Sequence, residues 1–320
     1  MLRWLNRWLG LAGDPPQYQG SRCLVERQAV GGCDLCLQAC PHQAISIDTA
    51  VLIGEACTGC GLCVQVCPTG ALEYPVEPTL ASLHRQSRED GQAEFFCSQV
   101  EGSGERLTCL AQLSEAALLA AAVWKVPLQL RHGRCSDCLV GSDQVLAQLR
   151  TSADRVQEKV APFGFTLELE LREGAADLDR SRREALREFG RRSFSAAYDL
   201  LPAPLRLAAG EEAGDFPKEW IWRYRALRAA ASSSPLPWPV PAASDRCVLC
   251  PVCSNVCPTG ALRREVVSDG GELVLELLGS ACTGCSACVA SCPTSALELV
   301  PAASAEQLQS WRELRRGRLE

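Results

Sequence analysis

The chain has 320 residues, 47% of them hydrophobic and 22% charged, with a formal net charge of −6, three histidines and 20 cysteines. The acidic balance disfavours nucleic acid as a bulk partner and suits a carrier that docks on basic patches. No apolar run reaches the length needed to cross a bilayer. No secretory signal opens the chain, and cysteines this dense would close disulfide loops too tight for good geometry, so a soluble, cytoplasmic protein with reduced thiols is expected.

In chain order, the segment 1–22 places Trp4, Leu5, Trp8 and Leu9 at the spacing of one helical face, with Arg3 and Arg7 beside them. Such a helix folds back on its own protein or lies against a partner or a membrane surface, so peripheral membrane contact stays open. From 23 to 80 cysteines dominate. Cys33, Cys36 and Cys40 precede Pro41, and Cys57, Cys60, Cys63 and Cys67 precede Pro68.

The texture changes over 93–175. The pattern predicts a strand at 93–96, an apolar helix at 110–123, a strand at 126–130, an amphipathic helix at 142–160 and a strand at 166–171, a small α/β layer with parallel strands. Cys97 would end the first strand, Cys109 would open the helix, and Cys135 and Cys138 would follow the second strand. All four then gather at the carboxyl edge of the sheet, where a [2Fe-2S] cluster, zinc or no metal at all remain open readings. His132 stands near Cys135 but reads as a surface or capping residue.

The stretch 176–244 reads as a helical and proline-rich linker. Arg180, Arg182, Arg183, Arg187, Arg191 and Arg192 mark a basic helix over 179–198, a solvated face or a dock for an acidic partner. A helix over 216–231 carries Trp220, Trp222 and Tyr224, and Pro235, Pro237, Pro239 and Pro241 predict an extended connection that wraps the surface and brings the flanking modules together. Over 245–303 the cysteine strings return: Cys247, Cys250, Cys253 and Cys257 before Pro258, then Cys282, Cys285, Cys288 and Cys292 before Pro293. A short helix over 305–316 is expected in the terminal stretch, 304–320.

The two halves repeat one text. ACTGCGLCVQVCPTGALE at 56–73 and ACTGCSACVASCPTSALE at 281–298 align without gaps. Gly59 and Gly284 suit a backbone that passes close to a bound group, and Ala44 with Ile45, Ala71 with Leu72, and Ala296 with Leu297 start short apolar segments that would keep water away. A loop with a cysteine every third residue turns three thiolates toward one cube, while the fourth, before the proline, must reach a neighbouring one.

These strings resemble the bacterial-type two-cluster ferredoxins over roughly 23–76 and 245–300. The resemblance implies that Cys40, Cys57, Cys60 and Cys63 hold one [4Fe-4S] cube, Cys257, Cys282, Cys285 and Cys288 a second, and Cys247, Cys250, Cys253 and Cys292 a third. For the fourth, Cys33, Cys36 and Cys67 lack their partner, because Val30 stands where a cysteine belongs. Cys23 is the nearest candidate. The loop to Cys33 is then about three times longer than usual, an entropic cost of only ~1 kcal/mol, against metal–thiolate binding on the order of 10 kcal/mol. A three-iron cluster or an empty fourth position beside a buried Cys23 remains the other reading. The run from Glu105 to Cys138 also resembles, more weakly, the [2Fe-2S] delta subunit of heterodisulfide-reductase-linked hydrogenases.

The expected fold is therefore α+β, two ferredoxin-like modules flanking a small α/β middle domain with a helical linker. There is no dinucleotide or phosphate loop and no Ser/His/Asp set, and His42, His84 and His132 fall in unrelated regions. The reading is an electron-transfer polyferredoxin of about four [4Fe-4S] clusters, a subunit or donor of a larger redox enzyme with a redox protein as its partner. The alternatives are an accessory protein in metalloenzyme maturation or protection, and an enzyme using flavin or a Cys135/Cys138 dithiol.

Overall fold

The computed structural model describes residues 13–174, 216–231, 235–267 and 271–318. The tryptophan-bearing helix expected near the N-terminus and the arginine-rich helix of 179–198 lie outside the described residues.

The first module is two small antiparallel ribbons and two one-turn helices. Strand β1 (Gln17–Tyr18) pairs with β4 (Leu72–Glu73), and β2 (Ile45–Ile47) with β3 (Val51–Ile53). Helix α1 (Leu35–Gln38) carries Cys36 and α2 (Leu62–Val66) carries Cys63. The chain leaves α2 at Cys67 in extended geometry, as the following Pro68 requires. Arg22 is buried and donates from Nη1 to the Gly70 carbonyl at 3.0 Å, with Glu73 Oε1 3.1 Å away. This tethers the start of the module to its end.

Helix α3 (Glu77–Asp90), unforeseen in the sequence, leads into the middle domain and ends at Gly91 with φ 70°. Strands β5 (Ala93–Cys97), β6 (Glu105–Leu107), β7 (Leu128–His132) and β8 (Leu169–Glu173) form one parallel sheet in the order β6-β5-β7-β8. Strand β6 escapes sequence reading because it is three residues of mixed polarity. The helix expected at 110–123 is split. A 3-10 turn at Leu110–Gln112 gives way at Ser114, whose side chain accepts from Ala117 N and caps α4 (Glu115–Trp124). Helix α4 is buried on all sides from Glu115 to Ala122, while α5 (Gln144–Val160) buries Val145, Leu149, Ser152, Val156 and Val160 on one face. Phe95, Leu118, Leu119 and Leu130 are fully buried, each worth about 1.5–3 kcal/mol of transfer free energy.

Helix α6 (Lys218–Ala230) is part of this core rather than of a linker, with Trp220, Trp222, Ala226 and Leu227 buried against α4. Glu115, the first residue of α4, is the knot between helices. Its carboxylate faces Lys159 and Arg155 of α5, the latter at 3.5 Å, and Arg223 of α6 at 3.4 Å. Glu219 accepts from Ala116 N at 2.9 Å and from Arg223 Nε at 2.7 Å.

The proline-rich piece is likewise structural. Strand β9 (Val240–Ala243) pairs along its length with β12 (Leu297–Val300), with Pro241 opposite Leu299, and Leu236 bridges to Ala303. Proline fits here because a two-stranded ribbon has a free edge. Trp238 donates from Nε1 to the Gly279 carbonyl at 3.0 Å. The second module then repeats the first: α7 (Val252–Val256) and α8 (Ala287–Ala290) carry Cys253 and Cys288, and β10 (Leu262–Val266) pairs with β11 (Glu272–Leu277).

The terminal stretch corrects the expected helix. Only α9 (Ala305–Gln309), closed by a Ser304/Gln307 capping box, is helical, and the chain continues as β13 (Arg312–Arg318) along β11. Exposure alternates along β13 except at Leu314 and Arg315, where the register against β11 shifts by a bulge. One apolar core runs from the middle sheet through Trp220 and Trp222 into Leu236, Leu275 and Leu308 of the second module. Among the described residues no helix is long and apolar enough to cross a membrane.

Candidate iron–sulfur sites

Each cysteine string runs through a loop and into a one-turn helix, and its last cysteine turns away at the proline. The result is visible in two cavities of nearly equal size. One, about 340 Å³ including the space open to solvent at its mouth, is walled by Cys40, Cys57, Cys60 and Cys63 together with Ala44, Ile45 and Ile53. The other, about 330 Å³, is walled by Cys257, Cys282, Cys285 and Cys288 with Ala261, Leu262 and Leu299. In both, three cysteines come from one string and the fourth from the end of the other.

The remaining thiols group by their mutual influence. Burial first, then Cys67, Cys33 and Cys23, push the Cys36 thiol up to about 11. Cys33 is raised by burial and by Cys67 and Cys23. Cys23, itself buried, packs in one cluster with Cys36 and Cys67 and lies near Cys33. Cys253 is raised to about 11 by burial and by Cys247, Cys250 and Cys292. Cys63 is raised by burial and by Cys60, Cys57, Cys40 and also Cys36; Cys288 is raised by burial and by Cys282, Cys285, Cys257 and also Cys253. Within each module the two quartets are thus neighbours.

The middle four cysteines are also brought together. Cys97 is the last residue of β5, Cys109 follows β6, and Cys135 and Cys138 follow β7, so parallel strands deliver all of them to one edge. Burial and then Cys138 and Cys97 raise Cys135 to about 11. Cys109 is pushed up by burial, Cys60, Cys138 and Cys97, which puts it beside the first module's cage. Gly141 is tight here: a Cβ would lie 3.2 Å from Cys109 Sγ. His132 Nδ1 lies 2.9 Å from the Gly133 carbonyl and forms no part of the group.

The donor chemistry fits iron. Thiols raised by burial and by neighbouring thiols, as Cys36, Cys60, Cys63 and Cys288 are, need nearby positive charge to become thiolates, which is what a metal core supplies. Backbone N–H groups already point at sulfur: Ala44 to Cys40 at 3.3 Å, Ala296 to Cys292 at 3.2 Å, Gly133 to Cys97 at 3.4 Å, and Val140 and Gly141 to Cys138 at 3.4 Å each. At Cys292 burial raises the thiol, but such donors win and hold it below its ordinary value. In the wall of the second cavity the buried Thr283 hydroxyl lies beside Cys285, where its hydrogen bond works against the rise that burial imposes on that thiol. Gly59 and Gly284 both adopt positive φ, 75° and 72°, where added Cβ atoms would stand 2.7 Å from the Asp14 carbonyl and from Pro239 Cγ. These glycines make room for packing behind the loop.

His42 and Thr58 were not singled out as site residues by the sequence. Both line the first cavity, and His42 Nε2 and Thr58 Oγ1 reach the Val140 carbonyl at 2.8 and 2.7 Å. Only the fold brings that carbonyl to the cage.

Residues 31–71 match the 4Fe-4S dicluster domain, and residues 246–297 match a second 4Fe-4S dicluster domain. Neither match covers Cys23 or the middle domain. No curated protein and no solved structure matches the chain. With the paired cysteine strings and the twin cages, these matches establish that the chain carries two 4Fe-4S dicluster ferredoxin modules.

Proposed function

We propose that the protein is a polyferredoxin, relaying single electrons through four [4Fe-4S] clusters as a subunit or dedicated donor of a larger redox enzyme. The carrying observation is the crossed origin of both cages, three thiols from one string and the fourth from its partner, repeated in the two halves. Bound clusters supply one-electron storage; the chain sets their potential through burial and N–H donors to sulfur. The sets are Cys23, Cys33, Cys36 and Cys67; Cys40, Cys57, Cys60 and Cys63; Cys247, Cys250, Cys253 and Cys292; and Cys257, Cys282, Cys285 and Cys288.

Cys97, Cys109, Cys135 and Cys138 hold a fifth metal centre in this reading. Their seat against the cage of Cys60 and the N–H groups aimed at Cys97 and Cys138 favour a [2Fe-2S] cluster over structural zinc. The test is metal and sulfide analysis of anaerobically purified protein. About 18 irons per chain are expected; about 16 with one zinc reassigns the middle site, and iron-free folded protein overturns the reading.

A further inference from the structure

The relay reading leaves open which centre hands electrons to which, and the seams between the domains answer it. We infer that the five cysteine quartets form a single line. It runs from Cys97/Cys109/Cys135/Cys138 to the Cys60 quartet, on to the Cys33 quartet, across to the Cys285 quartet and finally to the Cys250 quartet. This rests on the proposed function and goes beyond it by fixing the order and the joint between modules.

Three of the four steps follow from packing: Cys109 and Cys60 share one buried cluster, Cys36 and Cys63 share another on the facing helices α1 and α2, and Cys253 and Cys288 sit on the facing helices α7 and α8. The first is a built seam. Gln112 Nε2 donates to the Gly59 carbonyl at 2.7 Å, and Gln65 Nε2 donates to the carbonyls of Ala111 and Leu113 at 3.0 and 2.7 Å.

The remaining step, from the Cys33 quartet to the Cys285 quartet, crosses between modules, and two separate contacts place it. The long loop from Cys23 to Cys33 seats Leu24 and Ala29 against Val256 and Ala287, with Cys33 and Cys285 packed at the same patch. Val30 N donates to Ser291 Oγ at 3.1 Å and Arg27 Nη1 to the Asn255 carbonyl at 3.4 Å. The insertion that displaces the missing ligand to Cys23 is thus itself the joint. The second contact is Trp220 on α6. Its Nε1 donates to the carbonyl of Thr283 at 3.2 Å, in the wall of the Cys285 cage, while its ring lies against Gly70, just past Cys67. Both contacts join the Cys33/Cys67 side of the first module to the Cys285 side of the second.

At this joint one electron passes between the centre held by Cys33 and its partners and the centre held by Cys285 and its partners, one being oxidised as the other is reduced. No proton moves and no bond forms; external one-electron donor and acceptor proteins balance the ends. Low-potential chemical reduction replaces the donor in the test.

The experiment is pulsed EPR on the reduced, fully loaded protein and on Ala287→Arg and Trp220→Ala. Iron content is measured alongside, and exchange of the Val30 amide is followed by mass spectrometry. Magnetic coupling between centres of different modules is expected in the parent protein. In the variants it should be lost or weakened while iron and coupling within each module persist, with Val30 losing protection in Ala287→Arg. Ser291→Ala, the milder change, is expected to unprotect Val30 with iron retained, and stands in if Ala287→Arg fails to load. Full iron with no inter-module coupling in the parent, or with coupling unchanged in Trp220→Ala and Val30 protection unchanged in Ser291→Ala, overturns the order. Absence of iron in the folded parent overturns the relay reading instead.

Discussion

The two ferredoxin modules carry nearly the same text but are held differently. In the first, Gly61 opens α2 at φ 94°, buried, where a Cβ would stand 2.8 Å from the Ala111 carbonyl; in the second the equivalent residue is Ser286, exposed, at φ 63°. The first cage loop is pressed against the middle domain, and its repeat is free to carry a side chain. The outer strings diverge too. Cys247 and Cys250 stand three apart, whereas Cys23 and Cys33 enclose a loop that docks on the other module. A shared cluster-binding grammar thus tolerates change wherever the ligand geometry is untouched.

The sharpest way to break the comparison is to remove one sulfur from each module. Cys63→Ala and Cys288→Ala are each expected to lose one cube, about four irons, with metal-linked folding energy on the order of 10 kcal/mol at stake. Hydrogen exchange should show loosening that spreads to residues 109–113 in Cys63→Ala only, because those residues lean on the first cage. Equal spread in both variants would mean that the modules are not held differently.

Cys23→Ala and Cys247→Ala test whether the displaced cysteine does the same work as its in-register counterpart. Parallel losses of iron are expected. A Cys23→Ala protein with its full iron complement removes Cys23 from the ligand set.

Next in size is Glu115→Gln, which strikes the knot that fixes Trp220 and its helix between the modules. Burial would raise the Glu115 carboxyl, but Arg223, then Lys159 and Arg155, outweigh it and hold the pKa at about 2, below the ordinary 4.5. The folded value is the lower one. Its stabilising contribution is therefore complete above the ordinary carboxylate range and is lost as pH falls toward about 2. Leaving those cations without the carboxylate is expected to cost ~3–5 kcal/mol at neutral pH, read by denaturant unfolding, with the gap between parent and variant closing in acid. A gap independent of pH would assign the loss to packing.

Smallest are the paired changes Gly61→Ala and Ser286→Gly. The first is expected to cost ~1–3 kcal/mol through strain and the clash with Ala111, the second to change stability by less than ~1 kcal/mol. Equal effects would show that the middle domain does not press on the first loop.

Much of the site was legible because ligand spacing is a local property. A cysteine every third residue followed by Cys-Pro reports its own loop geometry, so the strings, their pairing and the apolar covers at Ile45, Leu72 and Leu297 could be read directly. The parallel middle layer was legible from its alternation as well. Residues 312–316 were misread as helix because Arg, Glu and Leu suit helices, and only the open edge of β11 made them part of a strand. The proline run read as an extended connection wrapping the surface, and its pairing as a strand escaped notice because its partner, 297–300, lies far along the chain.

What the sequence by itself determined is the chemistry: thiol quartets in two repeated modules, since each motif's geometry is contained within a few bonds of backbone. What only the tertiary structure decided is adjacency. That Cys23 packs near Cys36 and Cys67, that Cys109 meets Cys60, and that Trp220 spans from Gly70 to Thr283 depend on contacts between segments that are not neighbours in the chain. Such contacts are set by packing of buried faces, and no local pattern encodes them.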